Sequence, residues 1–365
     1  MEFPKARIVT SASVRRAGGS QRSLNREYES GALVRLMRGV YVDTDAWLAA
    51  TPWGRYALTT AGLALAEHRY VFCRETALAL MGLPLTSVPE RVHVLVGHPA
   101  RVGARRGTVS YATPERSLLR WRGLASSGDQ DRSMAARLPS GFPVTGHLPD
   151  GPGRTHVDAG AHGVRLRCTD LEATLGDTLA ELRLDAAAVV LDAVLAGAVP
   201  LGGGTVTRDR LVELARAQAS QAATRRVLAA VRFADPASES AGESRSRAVI
   251  HQLGFEAPRL QHEVWDARGL VGRVDFWWPG ARVVGEFDGR LKYSRSRELS
   301  GMDAGDVVVE EKLREDRLRS AGCGVVRWDW SDLEDPARVA AKLEAAGIPR
   351  FRRKKPREVD ISPTN

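Results

Sequence analysis

Cysteine is scarce in this chain of 365 residues: Cys73, Cys168 and Cys323 lie far apart, and no C-x-x-C occurs. That excludes a disulfide framework and any cysteine-based zinc motif, and it suits a reducing cytoplasm. The N-terminus, MEFPKARIVT, lacks the basic-then-apolar layout of a signal peptide. Long hydrophobic runs are lacking too. The longest, AAAVVLDAVLAGAVPL, is broken by Asp192 and Pro200 and is too short to span a bilayer. A soluble cytoplasmic protein with no membrane partner is expected.

What the chain does have is positive charge. It carries 53 Lys+Arg against 44 Asp+Glu, a formal charge of +9 and a pI of about 9.9. Such an excess favours polyanionic partners, of which nucleic acid is the commonest. With 43% hydrophobic and 27% charged residues the composition is globular. The length calls for two or three domains.

The N-terminal region, residues 1–50, contains the segment GGSQRSLNREYESGALVRLMRGVYV. Leu24 and Tyr28 share one face of a short helix, which leaves Arg22, Asn25 and Arg26 toward the other side. Gly31 is placed to end this helix in the left-handed conformation. The alternation in LVRLMRGVYV, with Arg35 and Arg38 before Gly39, predicts a basic β-ribbon. Helix and ribbon together outline a winged helix-turn-helix, in which the helix enters the major groove and the ribbon touches phosphate. An ordinary solvated helix and hairpin is the alternative.

Residues 51–235 read as a mixed α/β and helical middle region. RYALTTAGLALAEH and ETALALMGLPL predict helices, and RVHVLVGH and GVRLRC predict strands. Residues 119–156 show no sustained period and read as a mobile insertion. Thr169 and Glu172 have capping-box spacing at the start of a further helix. LGGGTV, with no Gly-Lys-Ser/Thr after it, reads as a turn and not a phosphate loop. The basic tail, 349–365, is expected to be disordered and to add salt-sensitive DNA affinity.

Residues 239–348 hold the sharpest signal, GRVDFWWPGARVVGEFDGRLKY, in which two strand-like runs contain Asp275, Glu286 and Asp288. Pro279-Gly280 marks a turn. A two-residue loop there places Asp275 opposite Val284 and makes Glu286 its diagonal neighbour, roughly 7 Å away between backbones. A four-residue loop conserves that parity, whereas a three-residue loop turns Asp275 away. Clustered carboxylates repel and resist burial unless a cation is present. Two cations suit them: Arg273, Arg290 or Lys292 in salt bridges, or a hard divalent metal that takes oxygen ligands. Such a metal can activate water against a phosphodiester.

In order, GESRSRAVIHQLGF, LQHEVWDARGLVGRVDFWWP, VVGEFDGRLKY, EEKLREDRLRSAG and GVVRWDW resemble the very-short-patch-repair-like (Vsr-like) branch of the PD-(D/E)XK endonuclease superfamily. The resemblance implies a restriction-endonuclease-like α/β domain in which Asp275 and Glu286 hold Mg2+ or Mn2+. It adds Glu243 from the first helix as a further acid, although Ser240 and Glu243 also have capping-box spacing. Gln261 is a weaker candidate. Asp288 stands where the superfamily places a catalytic lysine, which leaves Lys292 and Lys312 as substitutes. Lys312, Glu315 and Arg319 share a helix face beside Asp316. Trp328 and Trp330 read as packing residues of an edge strand.

SGALVRLMRGVYV, ETALALMGLPL and LEATLGDTLAEL resemble the abortive-infection type IV antitoxin family (AbiEi-like), in which a winged helix-turn-helix precedes a second domain. The fold class expected is thus α/β (α+β). The function expected is DNA binding with Mg2+-dependent DNA hydrolysis. The alternative is a transcriptional regulator or antitoxin with a cognate toxin as partner and an inactive nuclease-like domain.

Overall fold

The computed structural model describes residues 1, 3–66, 70–105, 109–112, 138–149, 156–161, 164–199, 206–289 and 304–351. The α+β class is borne out, with helices and, among the described residues, three separate sheets. Two compact units share the chain: residues 1–181 with 198–227, and residues 182–197 with 228–365. This division cuts across the expected middle region 51–235. Among the described residues no helix is long and apolar enough to cross a membrane.

The first unit begins with β1 (Ile8–Thr10), α1 (Ser11–Arg16), α2 (Gln21–Glu29), β2 (Leu33–Met37) and β3 (Val40–Asp43). These strands form a sheet of order β1-β3-β2. Ser20 caps α2 by accepting the Ser23 N–H, and Gly31 follows the helix at φ 79, the left-handed conformation its sequence position predicts. Leu24 is buried beneath the helix with Leu33 and Tyr41. The short helix and ribbon expected of the first fifty residues are present, α1 precedes them without having been read from the sequence, and the segment is not self-contained. Tyr28 and Ser110 share a hydrogen bond of 2.6 Å, and Trp47 donates to Tyr111 at 2.8 Å.

After α3 (Thr44–Ala49) and the buried α4 (Pro52–Ala66) comes a second sheet. It holds β4 (Val71–Phe72), β5 (Val92–Leu95), β6 (Gly103–Arg105), β7 (Val144–His147), β8 (His156–Ala161) and β9 (Val164–Thr169), in the order β6-β7-β5-β4-β9-β8, with α5 (Arg74–Leu80) following β4. β7 corrects the reading of 119–156 as an insertion without structure, since it is an interior strand, parallel to β5 with Leu95 opposite His147. Four residues are too few to show a period, and at Gly146 any Cβ would collide with the Arg101 carbonyl, so packing and not patterning selects this sequence. Residues 119–137 and 150–155 lie outside the described residues, as do 201–205 of the glycine-rich turn and 352–365 of the basic tail.

α6 (Leu171–Thr178) is capped by Asp170, which accepts the Ala173 N–H at 2.8 Å. That corrects the expected Thr169–Glu172 box. Thr169 closes β9, and its hydroxyl pairs with Thr174 instead. α7 (Leu184–Leu195) belongs to the second unit, α8 (Arg208–Arg216) to the first, and α9 (Gln221–Phe233) crosses the boundary at Val227.

The second unit runs α10 (Ala241–Leu253), β10 (Arg259–Asp266), β11 (Gly269–Trp278), β12 (Val283–Asp288), α11 (Ala304–Ser320), β13 (Gly324–Asp329), α12 (Trp330–Glu334) and α13 (Pro336–Ala345). Its sheet has the order β10-β11-β12-β13; the first three strands are antiparallel and β13 is parallel to β12. Alternation along β11 sends Phe276 and Trp278 to a core with Phe287, Trp328 and Ile250, while Trp277 packs with Val284 and Leu318. Trp328 is buried at the edge strand and donates to Ser246 at 2.7 Å, a packing role as expected. Arg247 on α10 ties α7 down by donating to the buried Asp192 at 3.0 Å.

Candidate functional site

The β11–β12 ladder pairs Trp278 with Val283, Trp277 with Val284 and Phe276 with Gly285. The connection is therefore Pro279–Arg282, four residues and not two, and Val284 faces Trp277 instead of Asp275. Parity survives the correction, because the shift is by two. The next step of this register sets Asp275 across from Glu286. On the other side, Leu260 pairs with Phe276 and His262 with Val274, so Gln261 lies across from Asp275. Beyond Glu286, β13 presents Arg327. The sheet thus carries a row of Gln261, Asp275, Glu286 and Arg327, one from each strand.

Asp275 and Glu286 are 9% and 8% exposed, so each carboxylate has lost most of its hydration. Asp275 Oδ2 accepts the backbone N–H of Phe287 at 2.9 Å. Burial, and then the neighbouring Asp275, push Glu286 up to about 7, against the opposing pull of Arg314. Arg314 on α11 donates to Glu286 Oε1 at 2.8 Å and to the Arg273 carbonyl at 3.0 Å. It can lie there because residue 272 is glycine: a Cβ would stand 2.8 Å from its Nε.

The salt-bridge partners expected from sequence are accordingly different. Arg273 pairs with Glu239 at 2.7 Å, while Arg290 and Lys292 lie outside the described residues. Lys312 is exposed on α11. The inward residues of that helix are Glu311, Arg314, Glu315 and Leu318, spaced as one helical face. Glu315 pairs with the exposed Arg319 at 2.6 Å and with Arg327 at 3.2 Å. Asp288 is half-buried, and burial raises its carboxyl above the usual range despite Arg327 at 3.2 Å. Arg327 also pairs with Glu311, and these acids outweigh the effect of burial and hold its guanidinium charged.

Glu243 is 1% exposed at the first turn of α10. Its carboxylate accepts from the Glu239 N–H at 2.9 Å, the Ser240 hydroxyl at 2.8 Å and Gln261 Nε2 at 2.9 Å. Ser240 caps the helix by accepting the Glu243 N–H at 3.2 Å, which is half of the box weighed in the sequence. The Glu243 carboxylate turns instead to the Glu239 N–H and the Ser240 hydroxyl, and reaches Gln261, whose backbone sits at φ 51. A non-glycine residue in that conformation is strained and needs surrounding contacts to hold it. Among the described residues no three His, Cys, Asp or Glu side chains form a group that could hold a metal ion. What fits a hard cation is the two-acid arrangement: adjacent, nearly dry carboxylates, one of them unwilling to ionise. Arg314, which occupies part of that role, carried no distinguishing signal in the sequence.

In the first unit Arg22, Asn25, Arg26 and Arg38 are exposed as expected. Asn25 accepts from Gln21 Nε2 at 3.1 Å. Arg35 is half-buried, with its guanidinium over the Tyr28 ring at 5.5 Å and 3.4 Å from the Ser110 hydroxyl.

No family model matches this chain. Uncharacterized protein MT2308 of Mycobacterium tuberculosis (strain CDC 1551 / Oshkosh) is 26% identical over 329 residues, covering 89% of this chain and 96% of its own length. Uncharacterized protein Rv2248 of strain ATCC 25618 / H37Rv matches to the same extent. Among solved structures, the RV2827C protein from Mycobacterium tuberculosis aligns with a TM-score of 0.29 at 16% identity, over 71% of this chain and 83% of that one.

Proposed function

We propose that this protein binds DNA through its first unit and hydrolyses DNA phosphodiester bonds in its second, with Mg2+ or Mn2+ held by Asp275 and Glu286. The observation that supports this reading best is the facing, buried pair of acids, one of which is pushed up to about 7. A structural ion pair needs one acid and one base; two acids side by side on central strands favour a cation of higher charge. A bound divalent ion would supply Lewis acidity and a more acidic water at neutral pH. Asp275 is held in place by the Phe287 N–H, and Glu286, which Arg314 meets, would share its carboxylate with the ion. Arg314 and Arg327 then stand beside the row, where they suit the charge of a phosphodiester. Glu243 acts through Gln261 as a brace for β10 opposite Asp275.

The test is a thermal melt of the full chain with and without MnCl2, run beside plasmid nicking. An ion that binds the native state alone at a hundredfold excess over Kd stabilises by about 2.7 kcal/mol. Asp275→Asn and Glu286→Gln should keep the fold, lose that increment and lose nicking. Calorimetry showing no Mn2+ binding to the wild type would remove the nuclease reading.

A second reading, a regulator or antitoxin with an inactive nuclease-like domain, is favoured by one observation: Arg314 already supplies Glu286 with a cation. It expects DNA binding without any metal-dependent stabilisation or cleavage, and a cognate toxin protein as the additional partner.

A further inference from the structure

A cavity of about 390 Å³ opens in the first unit between the β2–β3 ribbon, α4 and the second sheet. Small-molecule sites span roughly 300–1,000 Å³, so it is large enough for a compact organic ligand. Its walls are mostly apolar: Met37, Leu63, Val94, Val96 and Val144, with the ring of Tyr70 among them. Arg38 from the ribbon, Arg101 from the turn before β6 and Arg105 from β6 itself also line it, and all three are exposed. No acidic side chain among the described residues lines it. Gly146 keeps the floor open, since a Cβ there would run into Val96 and the Arg101 carbonyl.

These two kinds of wall select between ligand classes. Guanidinium groups around one space favour an anion, and their planar forks match a carboxylate. Apolar walls favour a hydrocarbon body. A nucleobase placed against Val94, Val96 and Val144 would leave its ring nitrogens and exocyclic groups without partners, and each such group costs free energy when desolvated. A bare phosphate would leave the apolar part unfilled. We propose that this cavity is a binding site for a small organic acid with an apolar aryl or alkyl body, its carboxylate met by Arg101 and Arg105. Arg38 belongs also to the basic ribbon expected to touch DNA phosphate, so it is shared with the proposed DNA-binding function. The site itself stands without that reading, because its test contains no DNA.

The experiment is calorimetric titration of the full chain with 1-naphthoate, 1-naphthoate methyl ester and adenosine monophosphate. Naphthoate should bind, and the neutral ester should bind at least tenfold more weakly. Arg101→Ala combined with Arg105→Ala should weaken naphthoate at least tenfold and bring it close to the ester. Ala66→Trp, at the exposed end of α4 where the residue lines the cavity, should block both ligands without entering the core. The circular dichroism of each variant reports whether it folds, and the ester reports whether the arginine variant keeps its apolar pocket. No naphthoate heat with the wild type, equal binding of acid and ester, or tighter binding of adenosine monophosphate would each overturn the assignment.

Discussion

The Asp275 carboxylate accepts the backbone N–H of Phe287 at 2.9 Å, one residue past its facing partner Glu286. That bond ties the Asp275 side chain to the backbone of the strand that carries Glu286, so the orientation of Asp275 does not depend on a cation. It also makes a structural role separable from a functional one. Asp275→Asn keeps an oxygen acceptor for Phe287, whereas Asp275→Ala leaves a buried donor unpaired, which costs about 1–3 kcal/mol. The alanine variant should therefore be less stable than the asparagine variant in urea denaturation, while both lose Mn2+ binding equally. Equal stabilities would mean that the Phe287 bond contributes nothing.

How much of this was legible beforehand depended on how local the cause is. The α2 face around Leu24 and the stop at Gly31 follow from a few neighbouring residues, and the sequence reading placed both correctly. Parity of the hairpin acids was also recoverable, since either loop of even length keeps Asp275 and Glu286 on one side. The loop length was not, because residues 281 and 282 look like strand and Arg282 leaves it by adopting φ 53. Long-range causes were hidden altogether. Asp192 reads as an interruption in an apolar run, yet it is buried as the partner of Arg247 on α10. Arg314 was one arginine among several in a charged helix, and only the missing side chain at Gly272 lets it cross β11 to Glu286.

In the first unit, His93 and His147 share a hydrogen bond of 2.8 Å between Nδ1 and Nε2. Burial, then the charges of Arg74 and His93, push His147 down to about 4 from its ordinary 6.5. The unfolded chain thus takes up this proton between pH 6.5 and 4 while the folded protein refuses it. The sign follows: the His147 contribution is fully present above pH 6.5 and is lost as pH falls through 4. Urea midpoints should drop over that window, and His147→Gln should flatten part of the slope. An NMR titration placing the His147 ring near 6.5 would contradict the burial argument.

The two ribbon arginines, alike in sequence, should behave differently. Arg38 is exposed, so Arg38→Ala should weaken binding to all DNA sequences and lower the salt slope by roughly one unit with little change in melting temperature. Arg35 stacks on Tyr28 and neighbours Ser110, so Arg35→Ala should also cost stability, about 0.5–1 kcal/mol from the stacking contact. Asn25→Ala and Arg26→Ala on α2 should instead lower discrimination between DNA sites by about 1–3 kcal/mol per lost base contact. Anisotropy titrations at several salt concentrations, beside thermal melts, separate these outcomes. Unchanged DNA affinity in all four variants would remove the winged-helix surface from the proposed function.

Arg314 and Lys312 divide the roles expected of one cation on α11. Lys312 points to solvent, so Lys312→Ala should leave both stability and metal binding within error. Arg314 is the cation on Glu286, and removing one partner of a buried pair costs up to roughly 3–5 kcal/mol. Two things reduce that figure here: the Arg314 side chain keeps 24% of its exposure, and Glu286 can take up a proton near neutral pH; the like charge of Asp275 acts the other way. Arg314→Gln should then destabilise the metal-free protein most above pH 7, where Glu286 would have to stay charged without its partner. Mn2+ should restore much of the loss, because the ion replaces the missing positive charge, and the variant should bind Mn2+ more tightly than the wild type. The regulator reading expects the same loss with no recovery in Mn2+, so one pair of melting curves at pH 8 distinguishes an acid pair waiting for a metal from an acid pair satisfied by arginine.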